Sequence, residues 1–228
     1  MNMKIVSNKI IPMLVLALLF TGCGLDNYDE PTSKLTGQVM YNGEALQLRG
    51  TNERVRLQLY QDGYANYGAI ELFVGQDGSY SAMLFNGEYK MVTRDNNGPW
   101  VNSRDTIHFT VKGNTVQNME VTPYYTISNA NMTLSGSKVS SSFTVNQVVS
   151  DRGVDRIILL LSKTQFVDDD IQIQRVDYTG DEIQGSGSRS FEFDLNDAAT
   201  NSKYLFGRIC VWTSGADQGI YSPVFSLK

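Results

Sequence analysis

Few side chains in this sequence could do covalent chemistry, and their spacing does little to gather them. His108 is the one histidine in 228 residues. A hydrolytic triad would need it beside a hydroxyl nucleophile and an acid. It stands between Ile107 and Phe109 in an alternating stretch and points away from both, so it reads as a solvent-facing strand residue. Asp168-Asp169-Asp170 offers the oxygen ligands that calcium takes. It lacks the spaced acids and glycine of a calcium loop and reads as a solvated turn. Asp151, Asp155, Asp177, Asp181 and Glu182 are scattered among turns. No pair of them can be assigned as a glycosidase acid and nucleophile, which stand ~5–10 Å apart. The expectation is a non-enzyme with no catalytic residue, no metal and no cofactor.

The two cysteines have different meanings. Cys210 lies in a near-apolar stretch and reads as a small buried hydrophobe. Cys23 follows Leu18-Leu19-Phe20-Thr21-Gly22, the close of an apolar run from Ile10 that is too short for the ~20 residues of a spanning helix. A cysteine after two small residues at that place is how a bacterial lipoprotein signal ends. Residues 1–22 are therefore expected to be removed and Cys23 lipidated. Each buried acyl methylene contributes about 0.8 kcal/mol, so several chains would hold the protein on a membrane. Residues 23–33, with Asp26, Asp29, Glu30 and Pro31, read as a flexible lipid-anchored tether.

Aromatic residues offer a different chemistry, because flat rings stack on the apolar faces of sugars while acids and amides bond their hydroxyls. Tyr60, Tyr64 and Tyr67 cluster about a turn. Trp100 follows Gly98-Pro99, and Tyr124-Tyr125 sit where the chain changes domain. Trp100, Tyr64, Tyr67, Tyr124 and Tyr125 are the candidate glycan-binding residues. The competing reading is that Trp100 and these tyrosines cap the sandwich ends and pack the interdomain contact, and for Trp100 the small size of the first domain favours it. Trp212 reads as packing.

The formal charge of −5 becomes −7 once residues 1–22, with Lys4 and Lys9 and no acid, are removed. A negative chain argues against nucleic acid, whose recognition rests on neutralising phosphates. It also leaves the lipid, not a basic patch, as the membrane contact.

The elements that must position these residues are strands throughout. Apolar residues alternate at Leu35, Gly37, Val39 and Tyr41, then at Val55, Leu57 and Leu59, at Tyr80, Ala82 and Leu84, at Tyr89 and Met91, and at Ile107, Phe109 and Val111. Asn42-Gly43, Asp77-Gly78 and Asn86-Gly87 are turn signals, and the last two are each expected to close a hairpin. Tyr80 and Tyr89 should lie inward or at the core edge. Pro123 marks a break, since proline cannot donate within a central ladder. Further strands are expected at 127–134, 139–145, 154–162, 171–178, 190–195, 205–212 and 224–227, with one helical turn at Asp197-Ala198-Ala199. The reading is all-β: two tandem β-sandwiches over residues 34–123 and 124–228.

Leu35-Thr36-Gly37-Gln38-Val39, Asn42-Gly43-Glu44-Ala45-Leu46, Asp77-Gly78-Ser79-Tyr80 and Phe85-Asn86-Gly87-Glu88-Tyr89 resemble the carboxypeptidase-regulatory or transthyretin-like sandwich. Arg208-Ile209-Cys210-Val211 and Tyr221-Ser222-Pro223-Val224 resemble the last strands of immunoglobulin or fibronectin III-like domains. Asp26 to Pro31, Leu84 to Lys90 and Gly98-Pro99-Trp100 together resemble a two-domain lipoprotein family of Bacteroidetes, domain of unknown function 3823. Its members are often encoded beside outer-membrane glycan-uptake pairs of the SusC and SusD type. The resemblance implies an outer-membrane, cell-surface lipoprotein that serves such an assembly as an accessory glycan-binding or scaffold component with SusC/SusD-like partners. The alternative it leaves open is a purely structural protein-interaction lipoprotein with no glycan ligand. Asp105-Thr106-Ile107 also resembles the short O-glycosylation acceptor of secreted Bacteroidetes proteins.

Overall fold

The computed structural model describes residues 29–63 and 67–228. The signal, Cys23 and Tyr64 lie outside the described residues. Beyond Glu30 the chain forms two tandem β-sandwiches.

The first contains β1 (Ser33–Tyr41), β2 (Glu44–Ala45), β3 (Arg56–Gln61), β4 (Ile70–Phe73), β5 (Ser79–Leu84), β6 (Gly87–Thr93), β7 (Ile107–Val111), β8 (Asn114–Val116) and β9 (Met119–Glu120). One sheet is built around β1, which pairs antiparallel with β2 and β5 and parallel with β8 and β9. The other has the order β4-β3-β6-β7 and is antiparallel throughout. Period-two alternation puts Leu35 and Val39 of one sheet against Leu57, Leu59, Tyr89 and Met91 of the other, all buried. Gly37 belongs to this packing. A Cβ there would lie 1.8 Å from the Gln117 carbonyl oxygen and 2.5 Å from the Tyr80 hydroxyl. The tyrosine ring takes the space that a side chain would fill, and its hydroxyl donates to that same carbonyl.

Tyr80 and Tyr89 point inward as expected, but the two turns beside them are not hairpins. β5 pairs with β1, and β4 and β6 both pair with β3, so the chain crosses from sheet to sheet at Asp77-Gly78 and again at Asn86-Gly87. Turn chemistry specifies a local reversal, not whether the two arms bond each other. At the first crossing the Gly78 carbonyl accepts from Val39 N at 2.9 Å, so the turn is pinned to β1. Asn42-Gly43 does close a hairpin, β1–β2, with φ of 51° and 80°, the left-handed pair of a type I′ turn.

The second sandwich contains β10 (Tyr125–Ser135), β11 (Lys138–Gln147), β12 (Val154–Ser162), β13 (Gln174–Tyr178), β14 (Gly187–Asp194), β15 (Phe206–Thr213), β16 (Ile220–Tyr221) and β17 (Phe225–Ser226), with the helical turn α1 (Asp197–Thr200). Sheet β10-β11-β14 packs on sheet β13-β12-β15-β16, with β17 also on β15. Asn196 caps α1 by accepting from Ala199 N at 2.8 Å. Lys228 Nζ donates to the carbonyls of Ala199 and Thr200 at the other end, where a cation complements the helix.

β12 carries an unbroken buried run, Ile157 to Leu161. Such a run is what a strand covered on both faces requires. Ile157, Leu159 and Leu161 join the main core, while Ile158 and Leu160 pack with Val167, Cys210 and Tyr221 in a second cluster. Cys210 is buried, and burial pushes its thiol well above the ordinary range.

Candidate functional site

The aromatic candidates part into two groups. Trp100 is 2% exposed. Its backbone bridges to Pro123, Val101 N donates to Thr122 O at 2.9 Å, and Tyr124 N donates to Pro99 O at 3.0 Å. Gly98 lies directly under the indole: a Cβ there would stand 2.3 Å from two ring atoms. Tyr124 and Tyr125 are also buried. The Arg152 guanidinium lies 4.7 Å from the Tyr124 ring centroid, and the Tyr125 hydroxyl donates to Arg152 O at 2.8 Å. Trp100, Tyr124 and Tyr125 therefore have no ring face to give a ligand. They pack the junction, in line with the competing reading of them, because the loop after Gly98 folds back onto the strand leaving the first domain. Trp212 packs too, with Nε1 donating to Ala216 O at 3.2 Å.

Tyr67 remains outside. It is 54% exposed and stacks on Tyr60 with centroids 5.5 Å apart and planes at 27°. Tyr60 stands on the outer face of β3. The register places Lys90 of β6 opposite it and His108 of β7 opposite Lys90, so one row across the sheet reads tyrosine, lysine, histidine. His108 is exposed there, as its place between Ile107 and Phe109 predicts. Lys90 Nζ lies 6.0 Å from the Tyr67 ring centroid and donates to Asp62 Oδ1 at 3.0 Å. The Lys90 ammonium holds the Asp62 carboxyl below the usual carboxylate range, and Asp62 in turn raises Lys90.

Beside this row runs a groove of about 460 Å³ lined by Gln58, Tyr60, Arg94, Asp95, Arg104 and their neighbours. Gln58 Nε2 donates to Glu71 at 2.9 Å, Arg94 lies 3.9 Å from Glu71, and Arg104 pairs with Asp95 at 3.0 Å. The face thus offers a stacked ring pair flanked by amides and by cations already matched to acids. Such a set can bond paired hydroxyls without demanding a charged ligand. Thr106 is exposed at the groove's edge, just before β7.

The aspartate triplet is not a solvated turn, which corrects the expectation from sequence. Asp168 is 1% exposed and accepts from Thr51 Oγ1 at 2.5 Å. Asp169 accepts from Arg49 Nη1 at 3.0 Å and from the Tyr221 hydroxyl at 2.8 Å, and Asp170 pairs with Arg49 and Asn52. Three acids of the second sandwich thereby hold one loop of the first. Arg208, wholly buried, completes the join. Its Nε donates to Ser222 O at 2.7 Å, Nη2 donates to Gln76 O at 2.9 Å across the domains, and its guanidinium lies 4.6 Å from the Tyr221 ring centroid. Burial lowers its pKa to about 10, so it stays protonated at neutral pH. Among the described residues no group of three or more His, Cys, Asp or Glu stands close enough to hold a metal.

Comparison with known proteins places this chain. A family model described as the N-terminal domain of a protein of unknown function, DUF3823, matches residues 33–122, and its C-terminal companion, DUF3823_C, matches 125–226. No curated protein matches the sequence significantly. Solved relatives include a DUF3823 family protein from Parabacteroides merdae, 50% identical with a TM-score of 0.82, the match covering 88% of this chain and 100% of that one. Another, from Bacteroides ovatus, is 33% identical with a TM-score of 0.79 over 86% of this chain and 98% of that one. A Bacteroides uniformis protein described as a proposed carbohydrate binding protein shares the fold at 17% identity and a TM-score of 0.72, over 87% of this chain and 99% of that one. With both sandwiches matched in order, and a relative half identical along nearly its whole described length, this chain belongs to the DUF3823 family.

Proposed function

We propose that this protein is a non-catalytic glycan-binding lipoprotein, held at the outer cell surface through a lipid on Cys23 and serving a SusC/SusD-type glycan-uptake assembly as an accessory. The observation that carries the binding half is the Tyr60–Tyr67 stack on the outer face of β3, with Tyr67 54% exposed and Asp62, Lys90 and Gln58 around it. A sugar ring can lie on Tyr67 while its hydroxyls bond the flanking acid, ammonium and amide. The carbohydrate-binding description of the Bacteroides uniformis neighbour points the same way. The anchoring half rests on the signal ending at Gly22-Cys23.

The test is binding of the chain from Ser33 onward to a glycan array, beside Tyr67→Ala. A weakened signal in the variant at an unchanged melting temperature is the expected result. Equal signal from both, or none from the parent, removes this site. For the anchor, Cys23→Ala should move the full chain from the membrane to the soluble fraction. A second reading, a protein-interaction scaffold, is favoured by the outer face of the β1 sheet, where Val116 is 73% and Met83 53% exposed. Pull-down from native membranes that loses its partner in Val116→Lys would support it.

A further inference from the structure

The seam between the sandwiches opens on one side into a groove of about 430 Å³, within the ~300–1,000 Å³ usual for small-ligand sites. Its first-domain wall is the β1–β2 hairpin and the residues after it. Tyr41 and Glu44 are cross-strand partners in that hairpin, so ring and carboxylate share one face, and both line the groove. Gln47 lines it too. Among the described residues the Glu44 carboxylate makes no ion pair, and neither it, the Tyr41 hydroxyl nor the Gln47 amide makes a hydrogen bond.

The other wall is the start of β10. There the Asn146 amide donates to Ser128 Oγ at 2.9 Å and to Thr126 Oγ1 at 3.4 Å. A hydroxyl that accepts such a bond keeps its own proton to give, so Thr126 and Ser128 stand ready to donate into the groove. Leu46, Ile220 and Pro223 add apolar surface. One backbone bond ties the first-domain wall to the second domain, Tyr221 N donating to Gln47 O at 3.0 Å, while Leu46 N and Leu48 N donate to Val39 O and Gln76 O at 2.9 Å each and hold that wall on its own sandwich. A cleft built on such backbone bonds loses little freedom when it binds.

We infer that this interdomain groove is a second binding site, which takes one or two uncharged sugar rings of a glycan chain. The inference rests on the reading of the chain as a glycan binder and uses none of the Tyr60–Tyr67 residues. Tyr41 presents a ring beside unpartnered acceptors, Glu44 and Gln47, which suit the hydroxyls of a pyranose. Thr126 and Ser128 suit its ring and glycosidic oxygens. No lysine, arginine or histidine lines the groove, so an acidic sugar or a phosphate would meet an unpaired carboxylate with nothing to offset it.

The experiment is titration calorimetry of the chain from Ser33 onward with malto-, cello-, xylo- and mannohexaose, with a galacturonic acid hexamer as the acidic probe. At least one neutral hexasaccharide should bind and the acidic one should not. Glu44→Gln, at an exposed position, should weaken binding about tenfold or more, the scale of a hydrogen bond to a charged group. Ser128→Phe should fill the groove and abolish the same signal, with its fold checked by thermal melt. If Tyr67→Ala abolishes binding while both groove variants bind like the parent, the groove is not a site and the first-domain face stands. If the groove variants lose binding and Tyr67→Ala does not, the groove stands and that face falls. Binding of the acidic hexamer alone, or of none of the probes, overturns the groove.

Discussion

Trp100 and Tyr67 are both large aromatic residues beside glycines in loops of the same sandwich, and the fold treats them oppositely. Trp100 lies under the junction, with Gly98 cleared of a side chain to let the indole in and Pro123 bridged to its backbone. Tyr67 lies outside a sheet whose inner face is already filled by Leu57, Leu59, Tyr89 and Met91. The difference lies in the neighbours. A ring goes inward where a facing segment can close over it, and stays out where the core behind its strand is complete. Composition and loop chemistry do not separate the two cases.

The strongest way to break this comparison is at the junction. Trp100→Ala should destabilise the protein by about 3–5 kcal/mol, as other large-to-small core changes do. Denaturant melts measure it, and a loss under ~1 kcal/mol would make Trp100 a surface residue in energetic terms. Arg49→Ala tests the polar half of the same junction. Removing its bonds to Asp169 and Asp170 should cost about 1.5–3 kcal/mol, the range for hydrogen bonds to charged groups, and lower the melting midpoint accordingly. A transition at the parent's midpoint would show that the clamp contributes nothing.

On the outer face the effects are smaller. Tyr67→Ala should change stability by less than ~0.5 kcal/mol while weakening any glycan bound there about two- to tenfold, the ~0.5–1.5 kcal/mol of one aromatic contact. A large loss of stability would move Tyr67 into the same class as Trp100. The smallest effect is at Asp62. Its carboxyl titrates below the ordinary ~3.9 because of Lys90. The pair's contribution is therefore present above that ordinary value and is lost as pH falls through the lowered folded one. An NMR titration should place the Asp62 midpoint below ~3.9 and return it there in Lys90→Met.

Much of the fold was legible because it rests on local pattern. The alternation at Leu57 and Leu59 and at Tyr89 and Met91, the outward His108, the break at Pro123 and the single turn at Asp197 all follow from periodicity and residue type. Long-range choices were not legible. Nothing within reach of Asn86-Gly87 says that the strand after it joins the opposite sheet, since that depends on β3 and β7 being free to receive it. Asp168-Asp169-Asp170 looked solvated because its partners, Arg49, Thr51 and Asn52, lie more than a hundred positions earlier. A signal did exist for the doubly covered sheet: five consecutive apolar residues from Ile157 to Leu161 announce that something must cover the far side. At the candidate site, Tyr60 and Tyr67 were visible as a cluster, but Lys90 joins them only through strand register.

The parallel pairing of β1 with β8 and β9 sets the order in which the first sandwich can form. Lys34 bonds with β5 on one edge and with β8 on the other, and Gly113 N donates to Ser33 Oγ across 80 positions. The first strand to emerge during synthesis is thus among the last to be completed. Until residues 114–120 are out, β1 has one edge open and Gly37 has no Gln117 carbonyl to pack on. Contacts of that sequence separation slow folding, so the β1 sheet can close only after residues 114–120 are made, later than the β4-β3-β6-β7 sheet, whose strands are complete at Val111.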